Sequence, residues 1–495
     1  MVFAAAVLAL DGCASLRGGM HAPSDLRTDC ATAAVVGLHW RAAPDGPRAA
    51  AYRVLRDGRV LATVHAPSFA DTTVAPEATY RYSVASIDSA GNAPASEPLV
   101  VATPAASVRG DAPYCPSRTV VSMSWDWQHG YRAAIGSDLW PVTWGRDGNV
   151  YAFFGDGGGF GGDDHLGRAS FGIAMISGRP PLSPAVEANV YGGYQARRPS
   201  LLSGKARSII AVGGDFYAIA GIYREGDAKY HDRPPISGSP DHIEIAYSRH
   251  DAASWQEDGW TFCGSPSTAG RDAFCPSGFI NHGRGGAGSP GRYVYVLGSS
   301  PAADERRRAE PPAARTYLAR VPRGGILRRS AYRFFSGLNS RGKPTWSADP
   351  DRMEPVFTDR SPPQAGCGGQ CVMAGSLEDA VYDFALKRYI GVAQGDYLAQ
   401  TSFYESEHPW GPWSTIAYDN IDPADGGGGW GNLGAAAGGS LGVHAVNAWT
   451  SADGRTLWMM YSSDGVAPPG ALFPPAGSKL DALQLVRVDL EVASK

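Results

Sequence analysis

A three-strand pattern recurs five times between residues 139 and 488, and it constrains the fold more than any other feature of the chain. In each copy a short apolar run is followed by a strand of the Val/Phe-Tyr-apolar kind and then by a third apolar strand. Repeated β units of this size are typical of a β-propeller, whose innermost strands line a central funnel where ligand sites concentrate. We therefore expect an all-β chain in which residues 117–495 form a five-bladed β-propeller. The copies are Leu139–Trp144, Val150–Gly155 and Phe171–Ile176; Ser200–Leu202, Phe216–Gly221 and Ile243–Tyr247; Phe279–Asn281, Tyr293–Gly298 and Thr316–Val321; Ala380–Phe384, Arg388–Gly395 and Gln400–Glu405; and Ala445–Thr450, Thr456–Tyr461 and Leu483–Val488.

A smaller β unit precedes the repeats, over residues 30–105. Short β runs there alternate with turns at roughly ten-residue spacing. Trp40, Tyr52 and Tyr80 fall at a core-tryptophan position, on a middle strand and at a tyrosine-corner position, and Asp88–Asn92 forms a turn into a last strand. The pattern resembles a fibronectin type III domain, in which such residues pack the core. We expect this N-terminal sandwich to act as a spacer or accessory unit.

The first residues suggest export from the cytoplasm. Residues 1–29 read as a lipoprotein-type signal and linker, because a short apolar stretch ends in Leu10-Asp11-Gly12-Cys13. In such a signal Cys13 is lipidated after cleavage, and an ordinary secretory signal is the alternative. The prediction is a protein of the cell envelope, either an outer-membrane or surface lipoprotein, or a secreted protein.

The cysteines support that compartment. Seven are present, and six remain once Cys13 is set aside as an anchor. They suggest three disulfides, which is the pattern of an oxidising compartment. A zinc site is the poorer alternative because no Cys-x-x-Cys pair occurs and the cysteines are dispersed. The expected pairs are Cys30–Cys115, Cys263–Cys275 and Cys367–Cys371.

Composition narrows the range of partners. The 44 basic and 48 acidic residues nearly cancel, which argues against nucleic acid or an anionic membrane surface as the main partner. No apolar run reaches the roughly 20 residues that a membrane-spanning helix needs. The 13 Trp and 22 Tyr residues fit exposed aromatic platforms on a secreted protein. We expect a monomer that binds a polysaccharide and meets a membrane only through a lipid anchor.

Two aspartates stand at the open end of the first predicted hairpin. If Trp144 pairs with Val150, then Asp138 lies opposite Asp156 with Cβ atoms roughly 4.5–5.5 Å apart. Two carboxylates that close suit acid/base or nucleophile chemistry on a glycosidic bond. A two-residue turn at Asp147 would instead place them on opposite faces. The plainer interpretation is a pair of solvated carboxylates at a turn or rim.

Other polar and aromatic residues fall at comparable strand ends and are candidates for substrate binding. Trp140 has the same strand parity as Asp138, so it is expected on the same face, where it could stack on a sugar. A polysaccharide lyase is the second hypothesis, with a histidine removing a proton and an arginine neutralising a uronate. Each residue alone is more often a solvated charge or a turn cap. The substrate-binding candidates are Trp140, His165, Arg168, His282, Arg284 and Asp379; further charges are Asp163, Asp164, Lys205, Arg207, Glu244 and Glu378.

No cofactor or metal is expected from the sequence. Histidines and carboxylates show no clustered ligand spacing. The glycine-rich stretch at residues 157–162 could pass for a phosphate loop, but no Lys-Ser/Thr pair or helix start follows it.

Several sequence segments resemble those of a known protein family. The stretch from Asp138 to Asp156, together with Phe279–Arg284, Tyr317–Pro322 and Tyr404–Trp413, is similar to secreted propellers that include endo-D-arabinanases and were long catalogued only as a domain of unknown function. The resemblance covers about residues 130–490 and implies that Asp138 and Asp156 are the catalytic pair. The family usually continues after the second aspartate with a hydroxyl or bulky residue. Three glycines follow here, so the substrate does not transfer.

The sequence thus predicts a glycoside hydrolase that cleaves an extracellular polysaccharide with an Asp/Asp pair, and an arabinan-like polymer is one candidate substrate. A polysaccharide lyase is the alternative enzyme, and a non-catalytic glycan-binding surface protein is the alternative outside catalysis.

Overall fold

The structure is a computed structural model, and it describes most of the chain. The described residues are 21–43, 49–87, 94–106, 111–178, 186–222, 242–260, 262–264, 273–307, 310, 313–360, 376–394, 401–418, 440–463 and 482–494. The expected lipidation at Cys13, the turn at Asp88–Asn92 and the pair Cys367–Cys371 lie outside them.

Seven strands form the N-terminal unit. They are β1 (Ser24–Ala31), β2 (Val36–Arg41), β3 (Ala51–Arg56), β4 (Arg59–Val64), β5 (Ser68–Asp71), β6 (Thr79–Ile87) and β7 (Leu99–Ala102). One sheet has the order β1-β2-β5 and the other β4-β3-β6-β7, and the two enclose one apolar core. The first strand begins ahead of the predicted boundary at residue 30.

The core of this unit contains the residues that the sequence singled out. The rings of Trp40 and Tyr52 meet edge to face, with centroids 5.4 Å apart. The Tyr80 hydroxyl accepts a hydrogen bond from the Ala75 N–H at 2.7 Å, which is the bond that defines a tyrosine corner. The predicted fibronectin type III sandwich is confirmed.

The remaining strands form the larger unit. A single strand, β8 (Val120–Ala133), comes first, and five groups of strands follow. The groups are β9 (Asp138–Trp144), β10 (Val150–Gly155), β11 (Gly172–Ser177) and β12 (Val186–Tyr191); β13 (Gly204–Val212), β14 (Asp215–Ile222), β15 (His242–Ser248), β16 (Trp255–Glu257) and β17 (Cys263–Gly264); β18 (Cys275–Asn281), β19 (Tyr293–Ser299), β20 (Ala314–Pro322), β21 (Arg333–Leu338), β22 (Pro344–Ser347) and β23 (Phe357–Asp359); β24 (Ser376–Asp383), β25 (Arg388–Gln394), β26 (Thr401–Ser406) and β27 (Ser414–Ala417); and β28 (Ser440–Ala445), β29 (Thr456–Ser463) and β30 (Ala482–Val492).

Helical structure within the described residues is limited to short segments. One α-helix, α1 (Pro301–Arg306), follows β19, and the 3-10 turns are Arg284–Gly286, Pro290–Arg292, Arg323–Gly325, Arg329–Ala331, Pro350–Arg352 and Asn447–Trp449. Among the residues described, none of the helices has the length and apolar character needed to cross a bilayer.

The five groups are the blades of a propeller, because an apolar cluster fills each junction between neighbours. The clusters join blade 1 to 2, 2 to 3, 3 to 4, 4 to 5 and 5 back to 1. Strands that bury both faces in this way read as continuous apolar runs, as seen in the sequence. The predicted five-bladed propeller is confirmed.

The first strand of each blade is the innermost, and these five strands make a closed ring. β9 contacts both β13 and β28, β13 contacts β18, β18 pairs in parallel with β24, and β24 contacts β28. The inner strands of the second and fifth blades differ from prediction. The second is β13 rather than Ser200–Leu202, and the fifth ends at Ala445, where Ala445–Thr450 was expected to be strand.

The last blade is closed by the first strand of the unit. Its sheet has the order β28-β29-β30-β8, with Val488 opposite Trp125 and Leu483 opposite Ala133. The outer strand of the fifth blade therefore comes from the segment that precedes the first blade.

The sandwich is attached to the propeller beside this closing strand. Cys30 on β1 forms a disulfide with Cys115, and Arg118 donates to the Asp29 carboxylate at 2.7 Å. A second disulfide joins Cys263 to Cys275. Both pairings were predicted.

Candidate active site

Each inner strand carries a bulge near its start. At these points the register of the inner hairpin shifts, so that one residue more lies on the inner strand than on its partner. Bulges re-aim side chains and are over-represented beside active sites. We call this end of the ring, where the five inner strands begin, the mouth. The bulged residues are Trp140 and Pro141 in β9, Arg207 in β13, Ser277 in β18, Glu378 in β24, and Gly442 and Val443 in β28.

The backbone is unusual where the first hairpin reaches the mouth. Leu139 and Trp140 have φ of 77° and 60°, and Asp156 has φ of 57°. Bulky residues are rarely found in the left-handed region, and strained backbone of this kind clusters at functional sites. The strain lies at the residues that position the two aspartates.

The first hairpin keeps the predicted register at its turn and loses it at the mouth. Trp144 pairs with Val150 as expected, but the bulge moves Asp138 opposite Gly155 instead of Asp156. The glycine leaves room for the carboxylate, because a Cβ at residue 155 would lie 3.2 Å from Asp138 Oδ1. Asp138 and Asp156 are therefore near neighbours on a diagonal rather than a directly opposed pair.

A lysine from the second blade lies between the two carboxylates. Lys205 Nζ forms an ion pair with Asp156 Oδ2 and lies 4.0 Å from Asp138 Oδ2. Asp138 is 5% exposed, and its Oδ1 has no hydrogen-bond partner among the described residues. One ammonium thus offsets the repulsion between two carboxylates in a partly desolvated pocket.

Arg168 holds Asp156 from the other side. Its guanidinium donates to the Asp156 and Asp164 carbonyl oxygens, and its Nη2 lies 3.7 Å from Asp156 Oδ1. Of the predicted binding residues, Arg168 is the one in contact with an aspartate of the pair.

The glycines after Asp156 allow close backbone packing. A Cβ at Gly157 would lie 2.3 Å from the Gly136 carbonyl oxygen, and one at Gly158 would lie 2.1 Å from that of Leu166. The loop is fastened by the buried Asn189, whose side-chain amide donates to the carbonyl oxygens of Gly158, Phe160 and Tyr194. The loop therefore gives Asp156 a fixed position.

A second polar pair lies between the fourth and fifth blades. Asp379 Oδ2 is 3.3 Å from His444 Nδ1, and both side chains are largely buried. His444 also approaches the first hairpin, since a Cβ built on Gly442 would lie 3.0 Å from His444 Nε2 and 2.3 Å from the Leu139 carbonyl oxygen. The predicted Asp379 thus lies at the mouth.

Trp140 does not line the mouth. It is fully buried between the first and fifth blades, where it stacks on Phe154 with centroids 5.2 Å apart. Its indole N–H donates to the Ser137 carbonyl at 3.1 Å. The expected position of Trp140 depended on regular alternation along the strand, and the bulge interrupts that alternation. Trp140 therefore packs in the core, and the expectation that it stacks on a sugar was wrong.

Two further predicted residues make their polar contacts with groups other than the aspartate pair. The His165 side chain is 75% exposed and lies 3.5 Å from Asp164 Oδ2. Arg284 donates to the Arg146 carbonyl at 2.7 Å, which places it at the turn of the first hairpin. That turn is six residues along the strand from Asp138, or roughly 20 Å. Arg284 therefore does not share a site with the pair.

His282 is a core residue. It is 3% exposed, and its ring packs among Tyr295, Tyr382 and Tyr389, with Nε2 3.2 Å from the Tyr389 hydroxyl. Burial lowers the pKa of His282 to about 4. A neutral, enclosed imidazole does not offer a proton-abstracting base to a polymer, which weighs against its predicted binding or lyase role.

The described residues contain no group of three or more His, Cys, Asp or Glu side chains arranged to hold a metal ion.

Comparisons with known proteins find similar structures but no match by sequence. Neither a protein-family model nor a curated protein sequence matches the chain. The structure is similar to a GH43_1 enzyme from Xanthomonas citri, with 14% identity, 76% of this chain and 94% of that chain covered, and a TM-score of 0.37. It is also similar to a GH43 β-xylosidase/α-arabinofuranosidase from a compost microbial metagenome, with 10% identity, 75% and 98% covered, and a TM-score of 0.39.

A third likeness is to the fibronectin type III domain of human fibronectin type III domain containing protein 3. It has 15% identity, covers 19% of this chain and 93% of that chain, and has a TM-score of 0.17. The resemblance to the endo-D-arabinanase family stays a prediction.

Proposed function

We propose that this chain is a glycoside hydrolase that cleaves an extracellular polysaccharide at the mouth of the propeller. The observation that carries the proposal is the placement of Asp138 and Asp156, which approach a single ammonium group, Lys205 Nζ, from one hairpin. Most glycoside hydrolases use two carboxyl groups in one pocket, one to give a proton and one to act on the sugar or on water.

The surroundings of the two carboxyls favour different roles. Asp156 is paired with Lys205 and lies near Arg168, and these cations favour its anionic form. We assign Asp156 as the nucleophile, or as the base that takes a proton from water. Asp138 is the more buried and lies farther from the lysine, so we assign it as the acid that protonates the leaving oxygen.

Lys205 would limit repulsion during the reaction. Once Asp138 has given up its proton, both carboxyls are anions, and the ammonium between them reduces the cost of that state. We also propose that the protein acts outside the cytoplasm, and the two disulfides among the described residues support this location.

The test is cleavage of a panel of polysaccharides that includes arabinan, with analysis of the released sugars. We expect Asp138→Asn and Asp156→Asn each to abolish cleavage while leaving the thermal midpoint nearly unchanged. Asp147→Asn is the matched control, because Asp147 lies on the same hairpin at its turn, where it accepts from Tyr151 Oη at 2.8 Å. The control should keep its activity.

The assigned roles can be separated with an aryl glycoside of the cleaved sugar whose leaving group needs no protonation. Asp138→Asn should retain much of its activity on that substrate, and Asp156→Asn should not. Near-normal polysaccharide cleavage by both variants would overturn the proposal. Unsaturated products that absorb in the ultraviolet would indicate a lyase, and binding of glycans without any product would indicate an adhesion or binding protein.

A further inference from the structure

A cavity lies at the far end of the inner strand that carries Lys205. Its volume is about 360 Å³, within the range of small-molecule sites, and it lies between the second and third blades. Lys205 is near the start of β13, and Val212, which lines the cavity, is its last residue. Seven residues of strand span roughly 23 Å, so the cavity is on the opposite side of the propeller from the aspartate pair.

Arginines give this cavity a positive charge. Three of them, Arg249, Arg323 and Arg328, line it together with one carboxylate, Asp215. Arg249 is bonded to Asp215, and its Nη1 lies 3.3 Å from the Tyr217 hydroxyl. That pair is therefore internally neutral.

The other two guanidinium groups are uncompensated. No carboxylate among the described residues forms an ion pair with Arg323 or Arg328. Two guanidinium groups that line a cavity without a carboxylate partner suit a ligand that brings its own anionic acceptor.

The backbone leaves room for such a ligand. A Cβ added at Gly213 or at Gly324 would meet no atom within 4 Å, and Gly213 has φ of 65°, a conformation that favours glycine. Both glycines line the cavity, so a ligand can approach the main chain closely. Leu327 is half-buried beside them and offers an apolar contact.

We propose that this cavity is a binding site for an anionic sugar unit, held through its carboxylate or phosphate by Arg323 and Arg328. Planar guanidinium groups bind both kinds of anion with two parallel hydrogen bonds. The site is separate from the aspartate pair, and its occupancy does not depend on whether the chain is a hydrolase.

The test is a binding titration on the full chain with four probes. Galacturonate supplies a carboxylate, a glucose phosphate supplies a phosphate ester, galactose is the neutral counterpart, and inorganic phosphate is the anion alone. We expect one or both acidic sugars to bind more tightly than galactose and inorganic phosphate, and their affinity to fall as salt is added.

Variants localise the binding. Arg323→Ala and Arg328→Ala should each weaken it by about tenfold or more, which corresponds to the loss of one charge-assisted hydrogen bond. Arg329→Ala is the matched control, since Arg329 is exposed next to Arg328 but does not line the cavity. Arg328 is also exposed, so its removal should leave the thermal midpoint unchanged and keep the test valid if Arg323→Ala folds poorly.

Three outcomes would overturn the proposal. These are the absence of binding by both acidic sugars, wild-type affinity in the folded Arg328→Ala variant, and equal affinity for inorganic phosphate and the acidic sugars, which would reduce the cavity to a simple anion site.

Discussion

The imidazole of His444 lies with its Nδ1 3.3 Å from a carboxylate oxygen of Asp379, across the junction between the fourth and fifth blades. The side chains are 12% and 9% exposed, so the contact is better shielded from water and salt than a surface ion pair. It joins two inner strands beside the backbone of Leu139, and thereby supports the hairpin that carries Asp138.

Removing either partner of this pair should destabilise the fold. We expect Asp379→Ala and His444→Ala each to lower the free energy of unfolding by about 1–3 kcal/mol, because a buried polar group loses its partner. Denaturant unfolding of the two single variants and the double variant should give a coupling energy of at least about 0.5 kcal/mol. Strictly additive losses would show that the contact contributes nothing.

Lys205→Met should reduce hydrolysis. Without the ammonium, nothing offsets the repulsion between the carboxylates of Asp138 and Asp156. We expect kcat/KM to fall about 100-fold. Lys205→Arg, which keeps the charge, should retain more activity than the Met variant; a Met variant with wild-type kcat/KM would remove the lysine from this role.

Gly158→Ala should disturb the loop that carries Asp156. The added methyl group would lie 2.1 Å from the Leu166 carbonyl oxygen and 2.8 Å from Gly162 Cα, both of which belong to packed backbone. We expect a loss of about 1–3 kcal/mol in unfolding free energy, together with lower activity. The control is Gly324→Ala, where no atom lies within 4 Å, and thermal melts of the two should differ. Equal melting points would mean that the loop relaxes freely.

His282 should make the protein sensitive to mild acid. Its pKa is about 4 in the folded state against an ordinary value of 6.5, so between these values the unfolded chain binds the extra proton. Stability therefore falls as the pH drops from about 6.5 to about 4, by about 3 kcal/mol at most.

A variant isolates that contribution. His282→Gln should flatten the fall in denaturant stability over this range, while His165→Gln, at an exposed histidine, should leave it unchanged. If the His282→Gln variant shows the wild-type slope, other groups govern the acid response.

The sequence predicts the blades well because their strands are buried on both faces. Runs such as Val150–Gly155 and Tyr293–Ser299 carry that burial in their own composition. The closing strand is different. β8 pairs with β30, which lies at the other end of the unit, and no local pattern records so distant a partner.

The sequence predicts where the two aspartates lie, but it does not predict the local backbone conformation beside them. Hairpin pairing from Trp144 and Val150 locates the aspartates at the mouth, but the bulge was not foreseen because Leu139 and Trp140 are residue types that disfavour positive φ. Trp140 consequently points into the core.

The sequence located two further residues of the mouth to different degrees. Lys205 was a candidate because it begins the strand before Phe216, and it lies near the start of β13. His444 was not singled out, since it immediately precedes the expected strand Ala445–Thr450. A signal was available in the recurrence of a polar residue near the start of the first three inner strands, since Asp138, Lys205 and Ser277 each occupy such a position.

The contribution of β8 to the fifth blade has a consequence for biosynthesis. A nascent chain displays this strand early, yet its hydrogen-bonding edge stays open until translation has produced the last residues of β30. The ring can therefore close only after β30 has left the ribosome. A circular permutant would join the two ends of the propeller through a short linker and open the chain elsewhere. All strands of the fifth blade would then be synthesised consecutively.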